Sequence, residues 1–288
     1  MRILLALLIS LLPTALQAKA TVARPALWKV SDADTTIWLF GTIHLLRPGI
    51  DWLHGPVAKA FTHAGELVVE TEIPEPPVAQ QAIMATAYDL SGPPLAAKLP
   101  AALNERLDAQ MTAYGLPGSV YARADTWYAA VMLESIAYQK LGLVSEGGVD
   151  LRLLADAKKA GKRIVPLEGF QEQLGLFDSL DQAEQTQMLK STLDEIGDSE
   201  KHINILVDSW THGDEAVLER AINEDMDDLP KVRALLIDQR NDRFAAWIAK
   251  RLDTPGAVFV AVGAGHLGGK HNIRVLLETK GLKVERVQ

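Results

Sequence analysis

The sequence predicts an α/β fold: a mostly parallel central sheet built from βαβ units, with large helical insertions. Three observations predict it. Near the start, an apolar run at Thr35–Phe40, a helix-like segment and a second short run at Glu66–Glu72 follow one another at βαβ spacing. Near the end, Ala257–Val262, a helical stretch at Asn272–Lys280 and Leu282–Val287 repeat that order. Between them, residues from about 77 to 143 and from about 171 to 252 are mostly helical in character. No linker-like tract isolates either stretch, so residues 21–288 read as a single domain carrying two helical insertions.

Taken in order, the chain opens with Met1-Arg2, an apolar segment from Ile3 to Leu12, Pro13, and then small residues. A short basic start, an apolar core and a small-x-small site at Ala18-Lys19-Ala20 (or Leu16-Gln17-Ala18) read as a signal peptide over residues 1–20. The apolar part falls short of the roughly 20 residues that span a bilayer. An exported protein, periplasmic or secreted and without a stable membrane span, is therefore expected. The sequence has no cysteine, which excludes disulfides, lipid anchoring at cysteine and thiol nucleophiles, and leaves the core alone to stabilise the fold. It carries 29 basic against 37 acidic residues, a net charge of −8. With no basic stripe visible, nucleic acid is not an expected partner.

Ala26–Val30 reads as a first strand, Ser31-Asp32-Ala33-Asp34 as a turn, and Thr35–Phe40 as the second arm of a hairpin. That arm runs into Gly41-Thr42-Ile43-His44. Gly55-Pro56 opens a helix to about Ala64, with proline suited to its first turn. After Glu66–Glu72, Ile73-Pro74-Glu75-Pro76-Pro77 breaks the order, and helices are expected at Val78–Tyr88, Ala101–Tyr114 and Ala122–Lys140. Gly147-Gly148-Val149-Asp150 leads into a helix at Leu151–Ala160, with Gly161 placed to stop it. The strand Lys162–Leu167 follows, and its Pro166 suits a sheet edge or a strand end. Asp214 is expected to cap one of the later helices.

Four of these strands end in a residue able to bind a metal or move a proton: His44, Glu70, Glu168 and His266. The histidines close two matching GxxH segments, Gly41-Thr42-Ile43-His44 and Gly263-Ala264-Gly265-His266. Glycine permits a sharp turn and the close approach of another group. If the two strands are sheet neighbours, both histidines reach one crevice beyond the carboxyl ends of the strands. Imidazole with carboxylate is the ligand set of zinc, manganese, cobalt or iron centres, and such an ion activates water for hydrolysis. The same residues serve a metal-free mechanism in which a carboxylate-held histidine is general base and the second histidine an acid. Glu72 competes with Glu70, because it lies on the same strand face two residues on.

Other candidates are weaker. His54 and His63 lie on or beside the first helix, and His202 and His212 in helical or capping contexts, while His271 can line the mouth of the site. Trp127, Tyr128 and Trp247 occupy apolar helical positions and read as core. Arg240-Asn241 lies in a long helix, where Arg240 is either solvated or paired with a substrate carboxylate or the site's own glutamates. No GxSxG, HExxH or P-loop occurs.

Six separated motifs together resemble the TraB/GumN family: Trp38-Leu39-Phe40-Gly41-Thr42-Ile43-His44, Val68-Val69-Glu70, Gly148-Val149-Asp150, Leu167-Glu168 with nearby Gln173, Arg240-Asn241, and Val262-Gly263-Ala264-Gly265-His266-Leu267-Gly268. They span nearly all of the mature chain in order. That family is related to the Tiki metalloproteases and more distantly to erythromycin-esterase and ChaN-like proteins. The resemblance implies a Tiki/TraB-like α/β core and a site at His44, Glu70 and His266, with Glu168 and Arg240 as neighbours. It also implies a divalent cofactor, manganese or cobalt before zinc. The expectation is thus an exported metal-dependent hydrolase, peptidase- or amidase-like, acting on a peptide or other small substrate. In it His44, Glu70 and His266 bind the metal, and Glu168 is a second carboxylate or general base. The alternatives are a non-catalytic protein that binds haem or another ligand in the same pocket, and an accessory protein of envelope or polysaccharide assembly.

Overall fold

A computed structural model describes residues 21–143 and 147–288, apart from the side chains of residues 223–225 and 227. The expected signal peptide, residues 1–20, lies outside the described residues. In chain order the first elements are β1 (Thr21–Val22), β2 (Leu27–Ser31), β3 (Thr35–Thr42), β4 (Ile50–Asp51), α1 (Gly55–His63) and β5 (Glu66–Val69). The first helical stretch supplies α2 (Pro76–Ala87), α3 (Leu95–Lys98), α4 (Ala101–Ala113) and α5 (Thr126–Lys140), followed by α6 (Val149–Lys159) and β6 (Arg163–Pro166). Then come α7 (Phe170–Asp178), α8 (Gln182–Glu195), α9 (Ser199–His212), α10 (Glu215–Asp227), α11 (Pro230–Arg233) and α12 (Gln239–Arg251). The chain closes with β7 (Gly256–Gly263), α13 (Ile273–Thr279) and β8 (Val284–Arg286).

The main sheet has six strands in the order β6-β5-β7-β3-β2-β8. β6, β5, β7 and β3 pair in parallel, whereas β2 is antiparallel to both β3 and β8. β1 and β4 form a separate two-stranded pair. The α/β class and the opening hairpin are as the sequence predicts, and Pro166 does lie on an edge strand, where its missing N–H costs no ladder bond. Two details differ. The closing strand does not pair with β7: α13 carries the chain past β3 and β2, and β8 pairs with β2 at the far edge. The helix expected from Ala122 begins only at Thr126, because Ala124 bridges Tyr88 and the amide of Asp125 donates to the Ala87 carbonyl.

Side chains alternate across each strand and so feed two cores. Leu27, Phe40, Leu67, Val69 and Phe259 face one side, where α1, α6 and α9 cover them with Phe61, Leu153 and Trp210 among others. Val30, Ile37, Leu39, Val68, Val258 and Val260 face the other, under Phe244 and Ile248 of α12 and Leu277 of α13. A third cluster, drawn mainly from α4, α5 and α8, packs within the helical insertions. The helix boundaries follow local chemistry: Asp214 caps α10 by accepting from the Val217 amide at 3.2 Å, and Gly161 leaves α6 at φ 65°, a left-handed position suited to glycine.

Candidate active site

The carboxyl ends of the four parallel strands lie side by side, and each delivers one ionisable side chain. In sheet order these are Glu168 after β6, Glu70 after β5, His266 after β7 and His44 after β3. The two GxxH segments are neighbours because Thr42 pairs with Gly263 on the last rung between β3 and β7. Glu168 is tied beside Glu70 by its own amide, which donates to the Glu70 carbonyl at 2.9 Å.

The GxxH glycines are needed for closeness. Gly41 and Gly263 both stay out of the left-handed region, with Gly263 at φ −50°. A Cβ on Gly263 would lie 3.1 Å from Glu70 Oε1, and one on Gly41 the same distance from the Ala264 Cα. With glycine there, the Gly263 amide donates to Glu70 Oε1 at 2.6 Å. Beyond it, a short 3-10 turn at Ala264–Leu267 carries His266 into the interior.

A buried charge network holds the two carboxylates. Glu70 Oε2 accepts from Arg240 Nη2 at 2.5 Å and from Gln173 Nε2 at 3.2 Å. The Glu168 carboxylate, wholly inaccessible to solvent, takes Arg240 through Nε at 3.1 Å and Nη2 at 2.5 Å, with Arg243 Nη2 at 3.1 Å. Arg240 Nη1 donates at 2.8 Å to the carbonyl of Leu236 in a π-helical turn, Ala234–Asp238, that precedes α12. Such turns re-aim the residues that follow them and recur at functional sites. Burial alone would push the Glu70 carboxyl up, but the imidazoles, Arg240 and the Gly263 amide together outweigh it and lower its pKa to about 2.

The two histidines differ. His266 is almost fully enclosed; its Nδ1 is 2.7 Å from Asn241 Oδ1 and its Nε2 3.5 Å from Glu70 Oε1. Burial outweighs the attraction of Glu70 and takes its pKa down to about 4. It is uncharged at neutral pH, so Arg240, His44 and the Gly263 amide are what keep Glu70 ionised there. His44 is three-quarters exposed, and its Nδ1 lies 2.8 Å from Asp150 Oδ2. The charge and hydrogen bond of Asp150 raise its pKa to about 9. Water around the ring screens the pair, and the imidazole is a cation at neutral pH. The second Asp150 oxygen accepts from the Thr42 hydroxyl, fixing the carboxylate to the strand that bears His44.

Glu72 lies beyond the end of β5 and pairs with Lys158 at 2.8 Å, which leaves Glu70 as the carboxylate of this cluster. Most of the remaining histidines are engaged locally. His54 bonds the Ala23 carbonyl, His63 packs edge-on to Trp38, and His212 bonds the Asp208 carbonyl. His271 pairs with Asp242 through its ring, while its carbonyl accepts from Asn241. Asn241, Asp150 and Arg243 hold the site together although the sequence assigned them no task. Asn241 sits next to Arg240 and Asp150 opens a helix after two glycines, but what each touches depends on the packing of distant elements. Among the described residues, no three or more His, Asp or Glu side chains stand close enough together to hold a metal ion.

A profile of the TraB/PrgY/gumN family matches residues 26–286, which include all four strand ends. The chain belongs to the TraB/PrgY/gumN family. Among its relatives in this TraB/PrgY/gumN group is a protein named "Uncharacterized protein YbaP" from Escherichia coli K12. It is 27% identical over 254 residues, covering 83% of this chain and 86% of that one. The Shigella flexneri protein of the same name matches to the same extent. No solved structure matches the chain.

Proposed function

We propose that this TraB/PrgY/gumN protein is an exported, metal-dependent hydrolase of peptide or amide bonds, with His44, Glu70 and His266 at its reacting centre. The observation that carries the reading is the meeting of His266 Nε2 and Glu70 Oε1 at 3.5 Å. If Nδ1 donates to Asn241 Oδ1, 2.7 Å away, the neutral ring and the carboxylate oxygen turn lone pairs toward one another. Two facing acceptors call for a cation or a proton donor between them.

As they stand, the three side chains are too far apart to hold an ion. His266 Nε2, Glu70 Oε1 and His44 Nε2 are nonetheless donors of the type that would bind a divalent ion if it drew them together and displaced the His44 proton. Each histidine already has its Nδ1 engaged by a carboxylate or amide oxygen, the arrangement that orients metal-binding imidazoles. When bound, such an ion lowers the pKa of water and polarises a carbonyl. Manganese and cobalt are the first candidates from the family resemblance, and zinc the next. Arg240 keeps Glu70 ionised in a buried setting. Glu168 has both oxygens taken by guanidinium groups, so its part is to position Arg240. The signal-like residues 1–20 support export.

A second, metal-free reading is favoured by the unlike histidines and by the Arg240 contact that already occupies Glu70 Oε2. Two titratable groups pushed in opposite directions divide acid and base roles between them. His266 Nε2 then accepts a proton from water that Glu70 orients, and the His44 cation donates one to the leaving amine. Elemental analysis of the mature protein without a polyhistidine tag tests the first reading. Thermal-shift titrations with manganese, cobalt and zinc would run beside it on the wild type and on His44→Ala/His266→Ala. A metal at about 100 times its Kd should stabilise the wild type alone, by about 2.7 kcal/mol. Cleavage of a peptide library with no metal response selects the second reading, and no response with no cleavage overturns both.

A further inference from the structure

We infer that Asn241 is the positioning residue for His266: it selects the imidazole tautomer protonated on Nδ1 and thereby presents a bare Nε2 to Glu70. The inference deepens the hydrolase reading, but its first test needs neither metal nor turnover.

The surroundings of the Asn241 amide decide which way it faces. The side chain is completely buried, so both ends of the amide must find partners within the protein. Its Nδ2 lies 2.7 Å from the His271 carbonyl, which can only accept. That contact places Oδ1, an acceptor, against His266 Nδ1 at 2.7 Å. The ring nitrogen must then be the donor. In an uncharged imidazole a proton on Nδ1 leaves a lone pair on Nε2.

The orienting carbonyl is itself held. His271 is gripped twice by α12, through its backbone by Asn241 and through its ring by Asp242 at 3.0 Å. The next residue, Asn272, caps α13 by accepting from the Val275 amide at 3.0 Å. The segment between the second GxxH turn and α13 thus fixes the amide, and the amide fixes the ring.

Without Asn241 the preference would reverse. A neutral histidine beside an ionised carboxylate gains most by donating its proton to it, and Glu70 Oε1 is only 3.5 Å from Nε2. That tautomer would cover the nitrogen the site needs. The Asn241 bond, at 2.7 Å against 3.5 Å, holds the proton on the far side of the ring. Phe244, its ring centre 5.4 Å from that of His266, helps fix the ring plane.

The test is nitrogen-15 NMR of the imidazoles in the mature, metal-free protein at neutral pH, with the His266 signals assigned by their loss in His266→Gln. We expect a protonated Nδ1 and a bare Nε2 at His266, and a shift toward the Nε2-protonated form in Asn241→Leu. An Nε2-protonated His266 in the wild type overturns the inference, and so does an unchanged tautomer in a folded Asn241→Leu. If that variant does not fold, the wild-type spectrum still decides the tautomer. Cobalt titration then separates the two proposals. Loss of about 10–100-fold in affinity in Asn241→Leu supports both, while the expected tautomer with no cobalt binding in the wild type supports this inference and removes the metal.

Discussion

The two GxxH turns are alike in sequence and sit on adjacent strands, yet they deliver histidines of opposite character. The first ends in an exposed ring held by the carboxylate of Asp150 and charged at neutral pH. The second ends in an enclosed ring held by the neutral amide of Asn241 and uncharged. The motif itself supplies only closeness, since glycine allows β3, β7 and Glu70 to approach. What each histidine can do is set by the partner of its Nδ1 and by burial, and neither is part of the motif. A repeated motif can therefore furnish two unlike halves of one centre.

The sharpest test of that difference removes the support of each turn. Arg240→Leu leaves Glu70 and Glu168 facing each other with their shared cation gone. Breaking a buried ion pair from one side costs about 3–5 kcal/mol, and urea unfolding should read a loss of that order. Next comes His266→Ala, which strands the Asn241 oxygen in the interior. Its cost should be about 1–3 kcal/mol, against about 0.5 kcal/mol or less for His44→Ala at its exposed position. Equal losses at the two histidines would break the comparison.

Acid should find the second turn first. His266 folds uncharged with a pKa lowered from 6.5 to about 4. The unfolded chain therefore takes up the proton first, and stability falls as the pH drops below 6.5 and on through about 4. Glu70 extends the loss. Its contribution is complete above its unfolded value of 4.5 and disappears as the pH falls toward about 2. Urea midpoints followed down to a pH of about 4 should flatten in His266→Gln. The smallest effect belongs to His44, whose raised pKa gives stability that is full below 6.5 and lost as the pH rises through about 9. Because the ring is exposed, Asp150→Asn should cost about 1 kcal/mol or less and remove that alkaline limb. A steep alkaline transition that survives Asp150→Asn would assign it elsewhere.

Much of this architecture could be read from the chain. Apolar runs ending in His44, Glu70, Glu168 and His266 mark four strand ends, because a strand that leaves the core must announce itself in polar residues. Their lateral order could not be read. β7 inserts between β3 and β5, and no local pattern in Ala257–Val262 encodes its neighbours. Period-two alternation could not separate Glu70 from Glu72 either. The choice is made where β5 stops, at Val69, after which the backbone turns Glu72 toward Lys158. Asp150 and Asn241 were invisible as partners for the same reason. His44 meets an aspartate 106 residues away on α6, and His266 an asparagine 25 residues back on α12. Composition and spacing do not carry such meetings, which only the packing of helices on the sheet creates.

The central position of β7 has a consequence for the order in which the centre comes into being. Glu70 meets the Gly263 amide across 193 residues of sequence, and β7 with its histidine belongs to the last stretch of the chain. During synthesis, the strands bearing His44, Glu70 and Glu168 emerge first and leave a gap that only β7 can fill. Until it arrives, the carboxylates have no Gly263 amide, the sheet is split between β5 and β3, and the second imidazole is absent. The nascent chain therefore cannot bring the four strand ends together until β7 has been made. Contacts so distant in sequence slow folding.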